Sequence, residues 1–340
     1  MVTITGIRIL NGNSEMGDGI RSENSTINLN HVSISENSQN LKKNLKLIII
    51  TPVILIMVYL ISPWFLIRFH PLPSGRIGHF ALNPELYCCE RDMNINFPNK
   101  PYLDLFYFKD ICNKQLAKMW KRELNMLPNW LLHPLFETNK IFSKFFPILS
   151  KHEFSVYARR DTQNFIDKSK THISFTSEEK ILGKKLLEKF GVPSDSKFVC
   201  LMVRDEGYLN NYVGQDWNYH SYRNGDIDNF VLAAEEITKR GYFVFRMGKR
   251  VIKPIKTRNS LIIDYALSSM SSDFMDIYLA AHCEFSLSTT TGIDLVPVIF
   301  GKPVAYTTTP ISNFPTFVKN SIMISKHYFS LKKKRNLTLS

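Results

Sequence analysis

Cationic side chains and a Thr-rich turn recur where strands of this chain are expected to end, a pattern suited to holding a polyanion. Arg204 follows the apolar run Lys197–Val203. Arg246, Lys249 and Arg250 close or follow the strand expected at Tyr242–Arg246. Thr289-Thr290-Thr291-Gly292 follows a third run, Glu284–Ser288, whose last residue Ser288 joins the turn as a candidate ligand, and leads into apolar sequence. A guanidinium presents paired N–H donors to phosphate. Free backbone N–H groups at a helix N-terminus, aided by the helix dipole, do the same. Taken alone, the Thr-rich segment is equally an ordinary turn before a core helix. Arg204 could equally form a salt bridge with Asp205 or Asp226. The convergence of separate segments favours one anion site.

A reaction at such a site needs a base. His79 sits in a Gly-punctuated basic turn, Arg76-Ile77-Gly78-His79, where an imidazole could take the proton of a hydroxyl. A structural hydrogen bond is the competing role for a lone His. Asp205, Glu206 and His220 are competing bases, and Arg76, Gly78, Tyr208, His220 and Arg223 would line the acceptor side of a cleft. Asp226-Ile227-Asp228 has the spacing of a metal-binding Asp-x-Asp motif. It opens an amphipathic helix, however, where acidic residues cap. No metal and no cofactor is therefore expected, and cationic side chains would neutralise the anion.

The elements that must position these residues alternate. Ser272–Pro310 reads helix, strand, turn, helix, strand, with Asp273 at the N-cap, as a parallel α/β sheet requires. Upstream, a helix from Ser177 ends near Gly191, and another from Asp226 ends at Gly241. Ser260–Asp264 is a further strand. Ligands of open α/β sheets bind beyond the carboxyl ends of the strands, where the cations lie. Tyr102–Phe108 is a strand and Asn113–Leu124 an amphipathic helix of an earlier unit. Two α/β domains follow, 68–170 on the acceptor side and 171–340 on the nucleotide side. The sequence stops before a last expected helix of the second.

Residues 1–44 are polar and aperiodic, and read as a disordered tail. Leu47–Ile67 carries no charge over about 30 Å of helix, so 45–67 is expected to be a transmembrane or monotopic segment. Lys42, Lys43 and Lys46 before it and Arg68 and Arg76 after it leave the orientation open. The chain holds 43 Lys and Arg against 30 Asp and Glu, a formal charge of +13. That suits phosphorylated ligands or an anionic membrane. No zinc-finger spacing, RNA-binding signature or recognition helix points to nucleic acid. Five cysteines without a pairing framework fit a reducing, cytoplasmic setting for the globular part.

Several strings resemble a family of bacterial glycosyltransferases linked to surface carbohydrate: VRDEGYLN, YRNGDIDNF, KRGYFVFRMGK, SDFMDIYLAAHCEF with STTTGI, and RIGHF near the start of the globular part. The resemblance covers roughly 64–310. It implies a GT-B-like pair of Rossmann domains with parallel sheets, and a nucleoside-diphosphate sugar held mainly by the second. Val203-Arg204-Asp205 is similar to the arginine motif of nucleotide-dependent fucosyltransferases, which implies that Arg204 pairs with the donor diphosphate. The turn at His79 is similar to the glycine-rich His loop of the transferase that adds N-acetylglucosamine to a lipid-linked murein precursor. The expected function is transfer of a hexosyl or deoxyhexosyl group to a surface polysaccharide or lipid-linked glycan precursor at a membrane. The alternative is a non-catalytic, membrane-anchored assembly factor that binds nucleotide or glycan.

Overall fold

The computed structural model describes residues 3–9, 20–28, 50–154, 156, 160–193, 195–207, 218–310 and 318–337. Near the N-terminus β1 (Thr3–Ile9) pairs antiparallel with β2 (Ile20–Asn28). Regular structure thus occurs where composition suggested none, and the β-branched residues Thr3, Ile4, Thr5, Ile7 and Ile9 suit it. The remainder of 1–44 lies outside the described residues.

Helix α1 occupies 50–61. Its described part measures about 18 Å, and no helix among the described residues is long and apolar enough to cross a membrane. Residues 45–49 of the expected segment lie outside the described residues. The chain turns at Ser62-Pro63-Trp64, and Leu66 and Ile67 are drawn into the next strand. One side of α1 packs through Ile54, Leu55 and Val58 against Leu132, Leu135 and Phe136.

The first domain is built on two parallel strands, β3 (Leu66–Leu72) and β4 (Tyr102–Phe108), with Arg68 directly opposite Asp104. Two 2.6 Å bonds join that guanidinium and carboxylate. Tyr87 donates a third bond to Asp104, and Phe97, Tyr102 and Phe154 surround the arginine. The helices are α2 (Ile77–Asp92), α3 (Lys114–Glu123), α4 (Asn129–Phe142) and the short α5 (Phe165–Lys168). This sheet is far smaller than the full Rossmann sheet expected. Among the described residues between Leu66 and Lys170, β3 and β4 are the strands, and Pro-punctuated aromatic helices take much of the rest.

The second domain opens with α6 (Ser177–Lys189), started by a reciprocal capping box between Thr176 and Glu179 and ended at Gly191 with φ +76°. There follow β5 (Phe198–Met202), α7 (Val231–Lys239), β6 (Phe243–Arg246) and β7 (Ile262–Ile263). Next come α8 (Asp273–His282), β8 (Ser286–Ser288), α9 (Leu295–Ile299), β9 (Val304–Thr309) and β10 (Ile322–Ser325). A small antiparallel pair, β11 (Phe329–Ser330) with β12 (Arg335–Asn336), comes last.

The six strands run β7-β6-β5-β8-β9-β10, and every pairing is parallel. In chain order this is 3-2-1-4-5-6, the doubly wound dinucleotide-binding order, whose switch point falls between β5 and β8. The caps were nearly legible. Ser272, not Asp273, accepts from Met275 to start α8, while Asp226 caps the turn before α7. Asp226 and Asp228 both pair with Lys253, at 2.6 and 2.7 Å, which accords with a capping role.

One apolar core runs through both domains, from Phe80, Leu86 and Trp120 by way of Phe175 to Phe245, Met275 and Val296. Polar junctions also fix the domains together. Asp273 accepts from the Lys114 backbone at 2.8 Å while Asn113 donates to the Asp273 carbonyl, so α3 and α8 meet at their N-termini. On the connecting segment, His172 bonds Glu85 at 2.9 Å and Asp92 at 3.0 Å, both from α2. Burial opposes charge on His172, but hydrogen bonds to Cys89, Glu85 and Asp92 override it and lift its pKa to about 10.

Candidate functional site

The switch point is where the sequence-predicted residues meet. β5 ends at Met202, and Arg204 stands just beyond, its backbone N–H bonded to the Thr289 hydroxyl at 2.9 Å. Thr289 in turn donates its N–H to the Met202 carbonyl, which closes the crevice floor between β5 and β8. Arg223 arrives from the loop before α7 and donates to the Thr290 carbonyl at 2.9 Å. Across from these, α2 begins. Gly78 lies so near Gly292 that a Cβ on it would stand 2.9 Å from the Gly292 carbonyl oxygen. The turn after β8 and the N-terminus of α2 therefore form opposite lips of one site.

The electrostatics of this place are lopsided. Burial, followed by the charge of Arg223 and with a smaller part from Arg76, pushes the Arg204 pKa down. The buried Nε atoms of both Arg204 and Arg223 have no hydrogen-bond partner among the described residues. Neither guanidinium is in an ion pair with a described carboxylate. Helix α2 adds to the imbalance, since it starts without a side-chain cap and without an acidic residue in its first turn. The first N–H groups of a helix have no intrahelical partner, and a 16-residue helix carries an appreciable dipole.

Asp294 answers from below. It is fully buried, and one of its oxygens accepts both the Ser288 hydroxyl, at 2.7 Å, and the Thr291 N–H, at 2.8 Å. Burial raises its pKa to about 6 against the effect of those bonds and of the two arginines. Thr290, between them, adopts φ +61°. The sequence reading missed Asp294. Its only signal was an acidic residue inside an apolar run, three positions after the Thr turn.

The turn itself needs correction. Its N–H groups were expected to face a ligand. Instead Thr289 donates to Met202, Thr290 to the Ser288 hydroxyl and Thr291 to Asp294. Helix α9 is only five residues long and starts at Leu295, too short and too late to act as an anion dipole. Ser288, Thr289 and Thr290 are buried and spent on the turn, whereas the Thr291 hydroxyl has no hydrogen-bond partner among the described residues and Gly292 is exposed. The helix of 16 residues that starts at this crevice without a side-chain cap is α2.

The cations after β6 do not converge with Arg204. Arg246 is fully buried, 3.1 Å from Asp264 and 3.8 Å from Asp205, and it donates to the Lys253 carbonyl. Lys249 reaches Asp273 at 2.6 Å at the start of α8, and Arg250 is exposed. Asp205, expected as a base, accepts from Gly207 at 2.9 Å and Ile252 at 3.0 Å and so ties two loops together. Placed at a strand end, a cation or carboxylate can turn into the domain or out of it, and Arg246 and Asp205 turn in.

His79 is exposed on the first turn of α2. Partial desolvation and the Arg76 charge lower its pKa, so the imidazole is neutral at pH 7, as a general base must be. Arg76 is the exposed residue that precedes the helix. Tyr208 lies outside the described residues, and of His220 only the backbone is described.

No family model matches the chain, and no curated protein matches its sequence. Solved structures do resemble it in chain path. The ADP-heptose lipopolysaccharide heptosyltransferase II of E. coli matches with a TM-score of 0.45 and 12% identity, over 77% of this chain and 91% of that one. A glycosyl transferase of family 9 from Veillonella parvula gives 0.46 and 11%, over 77% and 85%. An E. coli heptosyltransferase with ADP-2-deoxy-2-fluoro heptose gives 0.36 and 11%, over 76% and 93%. Such scores establish neither family nor reaction, and they do not show the likeness to fucosyltransferases read at Val203-Arg204-Asp205. What stands on the strand order alone is an α/β fold with a parallel, doubly wound sheet and a cationic crevice at its switch point.

Proposed function

We propose that the protein is a glycosyltransferase that takes a sugar from a nucleoside diphosphate donor, the diphosphate lying between Arg204, Arg223 and the first turn of α2. The observation that carries this reading is the pair of half-buried guanidinium groups, without carboxylate partners among the described residues, at the switch point of a 3-2-1-4-5-6 sheet. In such a crevice the arginines stabilise the charge that develops on the departing diphosphate. His79, neutral and on the lip formed by α2, is the group that accepts the proton of the incoming hydroxyl. Arg76 and the Thr291 hydroxyl complete the anion contacts. Arg246 and Asp205 serve by fixing the loops around the crevice.

The acceptor side belongs to a membrane surface in this proposal. Ile56, Met57, Leu60 and Trp64 of α1 and the following turn, and Phe145, Phe146 and Ile148 beyond α4, leave large apolar side chains in solvent. The two groups are neighbours, because Lys151 lies over the Tyr59 ring, and Lys140, Lys144 and Lys151 give the patch a cationic fringe. Apolar side chains ringed by lysine suit shallow insertion among anionic lipids. Five free cysteines accord with a cytoplasmic location.

A thermal-shift panel of UDP, GDP, CDP and dTDP on the full chain tests the donor site. Stabilisation by one nucleotide, lost in Arg204→Ala, is the expected result. No shift with any of them in folded protein rejects the reading. The engagement of Asp205 in loop bonds leaves few candidate bases, which favours a second reading, a nucleotide- or glycan-binding assembly factor. Nucleotide binding without sugar transfer would select it.

A further inference from the structure

A second cluster of chemically capable side chains lies away from the crevice, where α2 meets the segment connecting the domains. Helical spacing puts Glu85, Cys89 and Asp92 on one face of α2, and His172 reaches them from a residue far along the chain. A carboxylate oxygen of Glu85, the Cys89 sulfur and a ring nitrogen of His172 all lie within 4.8 Å of one another. Glu85 and Cys89 are 1% and 0% exposed.

An imidazolium held between Glu85 and Asp92 would satisfy His172, but it does not satisfy the cluster. The second oxygen of Glu85, Oε2, is buried and has no hydrogen-bond partner among the described residues. A buried carboxylate oxygen without a donor is costly, and a cation shared with both oxygens would remove that cost. The donor set is one thiolate, one imidazole and one carboxylate. Zinc and similar borderline ions favour that mixture, whereas calcium and magnesium require oxygen. The position of Asp92 fits as well. At 3.0 Å from Nε2 it stands behind the ring, where a carboxylate orients a metal-bound histidine and leaves Nδ1 facing Glu85.

We propose that Glu85, Cys89 and His172 bind a divalent transition-metal ion of the zinc type, that Asp92 orients His172, and that the ion clamps the first domain to the connecting segment. Glu85 binds through one or both oxygens, and a water fills any remaining position. The site is structural and independent of sugar transfer. Its place also makes it a brace for the crevice, because α2 carries His79 at one end and the clamp further along. Next to His172, Thr171 donates to the Ile299 carbonyl at 2.8 Å and extends the connection to α9.

The full-length protein, stripped with a chelator and dialysed, is titrated with Co2+ and then Zn2+. The expected result is saturation at one equivalent, a thiolate-to-cobalt charge-transfer band in the near ultraviolet, and loss of that band when Zn2+ displaces Co2+. Cys89→Ser abolishes the band, and Asp92→Asn weakens binding about 10- to 100-fold. Wild-type protein without a charge-transfer band at tenfold excess Co2+ would overturn the proposal. A band that persists in folded Cys89→Ser would overturn it equally. Should Cys89→Ser fail to fold, the wild-type spectrum and the Asp92→Asn titration decide, since Asp92 is half exposed and its replacement spares the core.

Discussion

Gly78 and Gly292 meet backbone to backbone, with the space for a Cβ on Gly78 lying 2.9 Å from the Gly292 carbonyl oxygen and 3.1 Å from its Cα. The contact joins the first turn of α2 to the turn after β8, so the width of the crevice is set by the absence of a side chain. Gly78→Ala forces rigid backbone apart. It is expected to cost about 1–3 kcal/mol and to weaken nucleoside diphosphate binding together with stability. Gly75→Ala, whose Cβ would meet only the Asp110 side chain at 3.8 Å, is the matched control and should leave both unchanged. Thermal melts and calorimetric titrations of the two variants check this.

Arg204 and Arg223 repel each other in the unliganded protein. Arg204→Ala therefore should leave the unliganded melting temperature unchanged or higher, while nucleotide affinity falls about 10- to 100-fold. Arg223→Ala should act in the same direction. Arg204→Lys should recover part of the affinity, because a point charge replaces the bidentate fork. A structural salt bridge at Arg204 would produce the opposite pattern, lower stability with affinity intact.

Asp294 sets a pH dependence whose sign is opposite to that of a salt-bridged carboxylate. Burial raises its folded pKa from the ordinary 3.8 to about 6. Between those values the folded state binds more protons than the unfolded one, so stability falls as pH rises from about 4 to 6 and is level above. The span is on the order of 3 kcal/mol. Asp294→Asn keeps one oxygen to accept from Ser288 and Thr291, so it should fold and flatten this slope. Urea unfolding at stepped pH measures it.

Arg246 separates stability from binding. Removing it leaves Asp264 and Asp205 without their shared cation, and Arg246→Ala should cost about 3–5 kcal/mol. In the cold, where the variant is still folded, nucleotide affinity should stay within twofold of wild type. A parallel loss of affinity would return Arg246 to the donor site.

The apolar fringe predicts lipid binding. Trp64→Ser with Phe145→Ser should reduce flotation with phosphatidylglycerol vesicles several-fold and leave the melting temperature unchanged, since both side chains are more than two-thirds exposed. Equal flotation of variant and wild type would dismiss the patch as the contact.

The second domain was largely legible because its elements are local patterns. Lys197–Val203, Tyr242–Arg246 and Ser260–Asp264 each enclose an observed strand, and Asp226 caps as its position suggested. Side-chain direction was not legible. A strand-end cation looks the same in sequence whether it faces a crevice, as Arg204 does, or a buried carboxylate, as Arg246 does. In the Leu47–Ile67 run hydrophobicity was counted without the turn at Ser62-Pro63-Trp64, which ends α1 and frees Leu66 and Ile67 for β3. Groups assembled from distant segments, such as Glu85, Cys89 and His172, leave no spacing to find.

The pairing of Cys200 with Ser286, of β5 with β8, has a kinetic consequence. β5 also pairs with β6, the next strand in sequence, and that contact closes a much shorter loop. Long-range parallel pairings form late, because chain entropy is lost before any contact rewards it. Arg204 and Thr289 belong to the two sides of that late seam. During refolding, far-UV ellipticity should therefore recover before any capacity to bind nucleotide, and the crevice is among the last features the chain acquires.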